Sequence, residues 1–167
     1  VIIAGASHRD LVLDLLGRSE VSVSALVLEP EGRNTAATAA LAAIVAQEID
    51  PEAYVLLVPA DHLVANPPAL VEAIRAASAV VSDNIVTFGI RPTGPETGYG
   101  YILQGDALAS GVHRVAAFKE KPALEIANQY VSDGRYSWNS GMFFFARSVL
   151  LEEFSIAGAD IRDGSHE

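Results

Sequence analysis

The chain has 167 residues, 50% of them hydrophobic, which is about one domain with enough apolar material for a sizeable core. It has no cysteine, which excludes disulfides, thiolate metal sites and a thiol nucleophile. Its formal net charge is −10, from 11 basic and 21 acidic residues, which argues against a nucleic-acid backbone binder while leaving room for small phosphorylated ligands held by local cations and a divalent ion.

Val1–Ala4 is a short apolar run ending at Gly5 and reads as a buried strand, not as a signal peptide, since it has neither a basic start nor a cleavage pattern. Leu11, Val12, Leu15 and Leu16 recur at helical spacing, with Gly17 as a stop. Ala25–Leu28 is a second strand, and Asn34 or Thr35 caps an Ala-rich helix running to about Ile49. Val55–Val58 is a continuous apolar run, as in a parallel strand buried on both faces, and Pro59 ends it. Asn66 followed by Pro67 opens a helix to about Ala79, and Ile85–Ile90 is a further strand.

To this point the rhythm is β-α-β-α-β-α-β, which predicts an α/β fold with a mainly parallel sheet and helices on both faces. The rhythm then changes. A Pro/Gly-rich loop, Arg91–Tyr99, leads to strands at Tyr101–Leu103 and Val112–Phe118. A short helix at Ala123–Ser132 stops near Gly134, a strand covers Trp138–Phe145, and another helix starts at Val149–Phe154. Residues 155–167 carry little apolar signal and read as a poorly ordered tail. No apolar run is long enough to span a membrane. A single domain over 1–167, in the cytoplasm, is expected, with neither nucleic acid nor membrane as a partner and a homodimer left open.

Five segments carry chemistry. Asp61 lies just past a strand end, where open α/β sheets bind ligands, and Asn66 leaves it without a capping role. Glu29 and the following Gly32, Arg33, Asn34 and Thr35 join a strand to a helix N-terminus, whose free N–H groups suit phosphate or the acceptor atoms of a base. Glu29, an acceptor, would match guanine N1–H and N2–H₂; a capping loop with solvated charges is the structural alternative. In Pro92–Tyr101, Gly98 and Gly100 allow a backbone to approach a ligand closely, as a sugar ring requires, or else turn a hairpin corner. Glu120 and Lys121 at a strand end could hold hydroxyls and a phosphate, or merely be solvated surface. Asn139 and Ser140 interrupt an apolar strand and need partners, either a ligand or nearby backbone.

Taken in order, EPEGRNTAATAALAA at 29–43, VPADH at 58–62, FGIRPTGPETGYGYI at 88–102, FKEKP at 118–122 and YSWNSGMFFF at 136–145 resemble the sugar-phosphate nucleotidylyltransferases, in particular the bacterial mannose-1-phosphate guanylyltransferases. The resemblance runs from about His8 to about Phe154. It implies a Rossmann-like core of the nucleotide-diphospho-sugar transferase type. It also implies transfer of GMP from GTP to mannose 1-phosphate by Mg²⁺-assisted in-line attack, giving GDP-mannose and pyrophosphate. By the same resemblance Asp61 is a metal ligand and catalytic, Lys121 is catalytic on the sugar phosphate, and Tyr99, Gly100, Glu120 and Asn139 bind the sugar. Glu29, Gly32, Arg33, Asn34 and Thr35 would bind the nucleotide.

Three features depart from the family pattern. The glycine-rich triphosphate loop of the form G-G-x-G-x-R-L-x-P-L, which belongs on a strand before Val1, is missing. A second metal aspartate has no clear match, Asp160 and Asp163 coming too soon after Phe154. Ala37 replaces the usual Pro. The chain therefore reads as the middle of an enzyme, incomplete at the N-terminus and at the C-terminus, and inactive alone. A non-catalytic sugar-nucleotide-binding module and a transferase for another sugar phosphate are the alternatives.

Overall fold

The computed structural model describes residues 1–30 and 35–163, and side chains as far as Ile156. By internal contacts the chain falls into two compact units, Val1–Ala53 together with the segment from Leu150, and Tyr54–Val149.

In the first unit, β1 (Ile2–Gly5) and β2 (Leu26–Glu29) pair in parallel, with Ile2 opposite Leu26 and Gly5 opposite Glu29. A short 3₁₀ turn and α1 (Arg9–Arg18) join them, the crossover that parallel neighbours need. Leu11 and Leu15 on the apolar stripe of α1 remain 58% and 57% exposed. α2 (Thr35–Ile49) begins at the expected residue and buries Ala39 and Ala43, one turn apart.

In the second unit, β3 (Tyr54–Leu57) stops two residues before Pro59. Asn66 caps α3 (Pro67–Ala77): its Oδ1 accepts from Ala69 N–H at 3.2 Å, and Pro67 occupies the first turn, where no N–H partner is needed. There follow β4 (Val86–Ile90), β5 (Gly100–Ala109), β6 (Val112–Glu120), α4 (Leu124–Asp133) and β7 (Tyr136–Ala146). α4 ends on Gly134 with φ 75°, and Arg135 grips Asp133 through Nε at 2.6 Å and Nη2 at 2.8 Å. That two-pronged hydrogen bond holds the Asp133 carboxyl below the usual carboxylate range.

The sheet of this unit is arranged around β7. Phe144 pairs with Leu56 of β3 on one edge and with Val86 of β4 on the other, both antiparallel. β3 and β4 therefore point the same way, as the crossover through α3 requires, with β7 inserted between them. Near its start, at Tyr136–Trp138, β7 also pairs with β5, which forms an antiparallel hairpin with β6.

The α/β class stands, and the crossovers within the units, β1–α1–β2 and β3–α3–β4, are as expected. The hydrogen-bonded neighbours in this larger sheet are nevertheless antiparallel, the parallel pair among the described residues being β1–β2. The reason is that a late strand, arriving from a hairpin and a helix, fills the slot between β3 and β4. β3 was expected to be buried on both faces. Val55 is buried, but Tyr54 and Leu56, whose side chains point to the opposite face, are 51% and 37% exposed, so burial follows one face of the strand.

The core under α3 is Ala77, Val81 and Phe144, with Ile74, Val86 and Phe88 packed against it. Tyr101 and Phe145 are fully buried, and each such side chain contributes roughly 1.5–3 kcal/mol. Tyr130 of α4 stacks on Tyr136 at 4.0 Å and tilts against Tyr101 at 5.3 Å, fastening that helix to the sheet. α5 (Arg147–Asp163) begins at the end of β7 and continues past Ser155, where a tail was expected. Among the described residues no helix is long and apolar enough to cross a membrane.

Candidate active site

A cavity of about 1220 Å³ opens in the Tyr54–Val149 unit. Its walls are the loop after β3, helix α3 and the segment after it, strand β4, the turn of the β5–β6 hairpin, the Gly98–Gly100 segment, Glu120, and Trp138–Met142 of β7. It exceeds the roughly 300–1,000 Å³ of most small-molecule clefts. The fold brings five candidates from the sequence, Asp61, Tyr99, Gly100, Glu120 and Asn139, to this one cavity. Lys121 is one residue beyond its wall, with Nζ 3.8 Å from Oε1 of Glu120.

Asp61 follows β3, with its side chain 89% exposed. With Asn66 capping α3, Asp61 makes no hydrogen bond among the described residues, and His62 Nε2 lies 3.8 Å from its Oδ1. Among the described residues no three carboxylate or imidazole side chains cluster as a metal cage. Mg²⁺ does not need one: it is ordinarily held by one or two carboxylates, water and substrate phosphates. An exposed, uncommitted aspartate on a cavity wall fits that mode.

Gly100 lies opposite Glu120 in the β5–β6 ladder. A Cβ at Gly100 would come within 2.8 Å of both Glu120 Oε2 and Phe118 Cζ. The missing side chain therefore makes room for the Glu120 carboxylate over the strand. Lys121 has φ 42°, and its N–H donates to the Tyr99 carbonyl at 3.1 Å. The Tyr99 ring stands edge-on to Trp138, with 5.2 Å between centroids and a 77° interplanar angle, an aromatic wall beside Gly100.

Asn139 sits in a bulge of β7. Between the pairs Thr87–Phe143 and Gly89–Asn139, β4 advances two residues and β7 four. The surplus turns through Gly141 at φ 71° and frees backbone groups from the ladder. Polar side chains take them up. Gly141 N–H donates to Asn139 Oδ1 at 3.2 Å, and Met142 N–H to Ser140 Oγ at 3.2 Å. Thr87 Oγ1 lies 2.8 Å from Asn139 Oδ1 and 3.1 Å from the Met142 carbonyl. The backbone role considered for Asn139 is thus filled by its oxygen alone, and its amide nitrogen makes no hydrogen bond among the described residues. Thr87 and Gly141 were not singled out from the sequence; a glycine two residues after an asparagine inside an apolar strand was the available signal.

The nucleotide candidates belong to the other unit. Glu29 at the end of β2 is 9% exposed and accepts from Thr38 Oγ1 at 3.3 Å; Thr35 opens α2. Gly32, Arg33 and Asn34, and the side chains of Asp160 and Asp163, lie outside the described residues.

A profile described as Nucleotidyl transferase matches residues 1–163. The chain belongs to the nucleotidyl transferase family. Mannose-1-phosphate guanylyltransferase of Escherichia coli strain K12 is 42% identical over 170 residues, covering 98% of this chain and 36% of that protein. The crystal structure of a mannose-1-phosphate geranyltransferase from Thermus thermophilus superposes with a TM-score of 0.79 at 33% identity, over 92% of this chain and 44% of that one. That of a mannose-6-phosphate isomerase from Helicobacter pylori gives 0.81 at 32% identity, over 98% and 61%. This nucleotidyl transferase chain spans about a third of the length of the curated relatives it matches.

Proposed function

We propose that this nucleotidyl transferase segment serves the transfer of GMP from GTP to mannose 1-phosphate, yielding GDP-mannose and pyrophosphate. The observation that carries the reading is the convergence of Asp61, Gly100, Glu120 and Asn139 on one cavity in a chain of this family. The name of the 42% identical relative supports the substrate pair.

In this reading a phosphate oxygen of mannose 1-phosphate attacks the α-phosphorus of GTP. The bond from that phosphorus to the oxygen bridging the β-phosphate breaks, and pyrophosphate leaves with the electron pair. Such transfer depends on positioning and charge neutralisation and requires no covalent enzyme intermediate. Glu120 and Asn139 hold the sugar hydroxyls, the Gly100 backbone lies against the ring, and the Lys121 ammonium steadies the sugar phosphate. Mg²⁺, held by Asp61 together with phosphate oxygens and water, would supply neutralisation of the phosphate charge. Glu29 accepts from guanine N1–H and N2–H₂. The reaction belongs in the cytoplasm, with neither nucleic acid nor membrane as a partner.

The test is pyrophosphate release by the full-length natural protein, with mannose 1-phosphate and glucose 1-phosphate each offered with the four nucleoside triphosphates. The expected result is Mg²⁺-dependent release with mannose 1-phosphate and GTP, lost in Asp61→Asn. Saturable GDP-mannose binding without any pyrophosphate release would instead mark a non-catalytic binding module, and preference for another pair a different sugar-phosphate transferase. Turnover retained in Asp61→Asn would remove Asp61 from the metal.

A further inference from the structure

We propose that Thr87 is a positioning residue that, together with the Gly141 N–H, holds the Asn139 carboxamide so that its N–H donors are offered to the cavity. The inference deepens the sugar-binding part of the function proposed above and rests on it for the identity of the ligand.

The geometry leaves the carboxamide little choice. A backbone N–H can only donate, so the group 3.2 Å from Gly141 N must be the Asn139 oxygen. Thr87 Oγ1, at 2.8 Å, is close enough to give its single proton to the same oxygen, and the Met142 carbonyl at 3.1 Å is its other acceptor. A carboxamide oxygen has two acceptor positions, and Gly141 and Thr87 fill both. The nitrogen, with two N–H bonds, has no partner among the described residues, and Asn139 lines the cavity. Reversing the amide would set its N–H₂ against the Gly141 N–H and strand that donor, at a cost of about 1–3 kcal/mol.

Specificity follows. Glu120 on the same cavity only accepts, and Asn139 as held here only donates. A hydroxyl can answer either. The pair therefore fits a polyhydroxylated ring that donates from one hydroxyl and accepts at another. A protonated amine, which has no lone pair, would be rejected at the Asn139 position. Thr87 also lines the cavity, but its hydroxyl faces Asn139 Oδ1 and the Met142 carbonyl, so its effect on a ligand is exerted through Asn139.

The experiment uses Thr87→Val, Thr87→Ser and Asn139→Ala in the 167-residue chain. Valine keeps the branched shape that suits a strand, and serine keeps the hydroxyl. Without any ligand, NMR couplings of the Asn139 side chain should report one rotamer in the wild type, averaging in Thr87→Val, and restoration in Thr87→Ser. Calorimetry with mannose 1-phosphate should show affinity falling about three- to tenfold in Thr87→Val. That fall should be absent when Asn139 is already alanine. A carboxamide that stays locked in Thr87→Val overturns the proposal. So does an affinity that Thr87→Val leaves unchanged, or lowers equally in both backgrounds. Wild-type protein that does not bind mannose 1-phosphate but shows the expected rotamer changes would overturn the sugar assignment and leave the positioning role standing.

Discussion

Lys121 is the one non-glycine residue with positive φ among the described residues, at 42°. Such a backbone costs about 1–3 kcal/mol, and the following Pro122 narrows its options further. The strain is held by the bond from its N–H to the Tyr99 carbonyl, beside the cavity wall. A glycine there would relieve the strain and remove the ammonium. Lys121→Gly should therefore raise the unfolding free energy by about 1 kcal/mol in urea titrations while lowering pyrophosphate release at least about tenfold. A variant that is less stable and fully active would show that neither the strain nor the charge serves the site. Gly100 shows the limit of reading a residue in isolation. Its spacing marked a close backbone approach, but the structure adds that its bare Cα gives Glu120 room, a fact held twenty residues away on the neighbouring strand.

Local signals predicted several elements closely. The Asn66–Pro67 start of α3 and the Gly134 stop of α4 are where caps and left-handed glycine place them. The β5–β6 hairpin is longer than expected: Gly105, Asp106 and Ala109 have poor strand propensity, and the pairs Gln104–Val115, Ala107–His113 and Ala109–Val112 across the hairpin carry the strand through them. The bulge in β7 left only a faint mark in the sequence, a glycine two residues after Asn139, because it is a mismatch between two strands. It predicts that Gly141→Ala destabilises the chain by about 1–2 kcal/mol, the cost of a Cβ in the left-handed region. The new methyl would lie 3.5 Å from Pro59 Cγ, ordinary contact, so the loss should come from backbone strain alone. Thermal melts of Gly141→Ala measure it, and an unchanged melting temperature would mean that the bulge relaxes.

Across the whole molecule, the cavity draws on segments scattered from Pro59 to Met142 in sequence. Bound mannose 1-phosphate should therefore slow amide hydrogen exchange together at 98–101, 118–121 and 138–142, read by mass spectrometry; protection confined to one of these segments would contradict a shared sugar site. By itself the sequence determined the order of strands and helices, the crossovers within each unit, and an Asp61 freed of capping duty. Those depend on periodicity and on caps, which act within a few residues. Tertiary structure decided that β7 lies between β3 and β4, and that Thr87 reaches Asn139, 52 residues away. Pairing and register join segments whose own sequences specify which face is apolar but not which partner it meets.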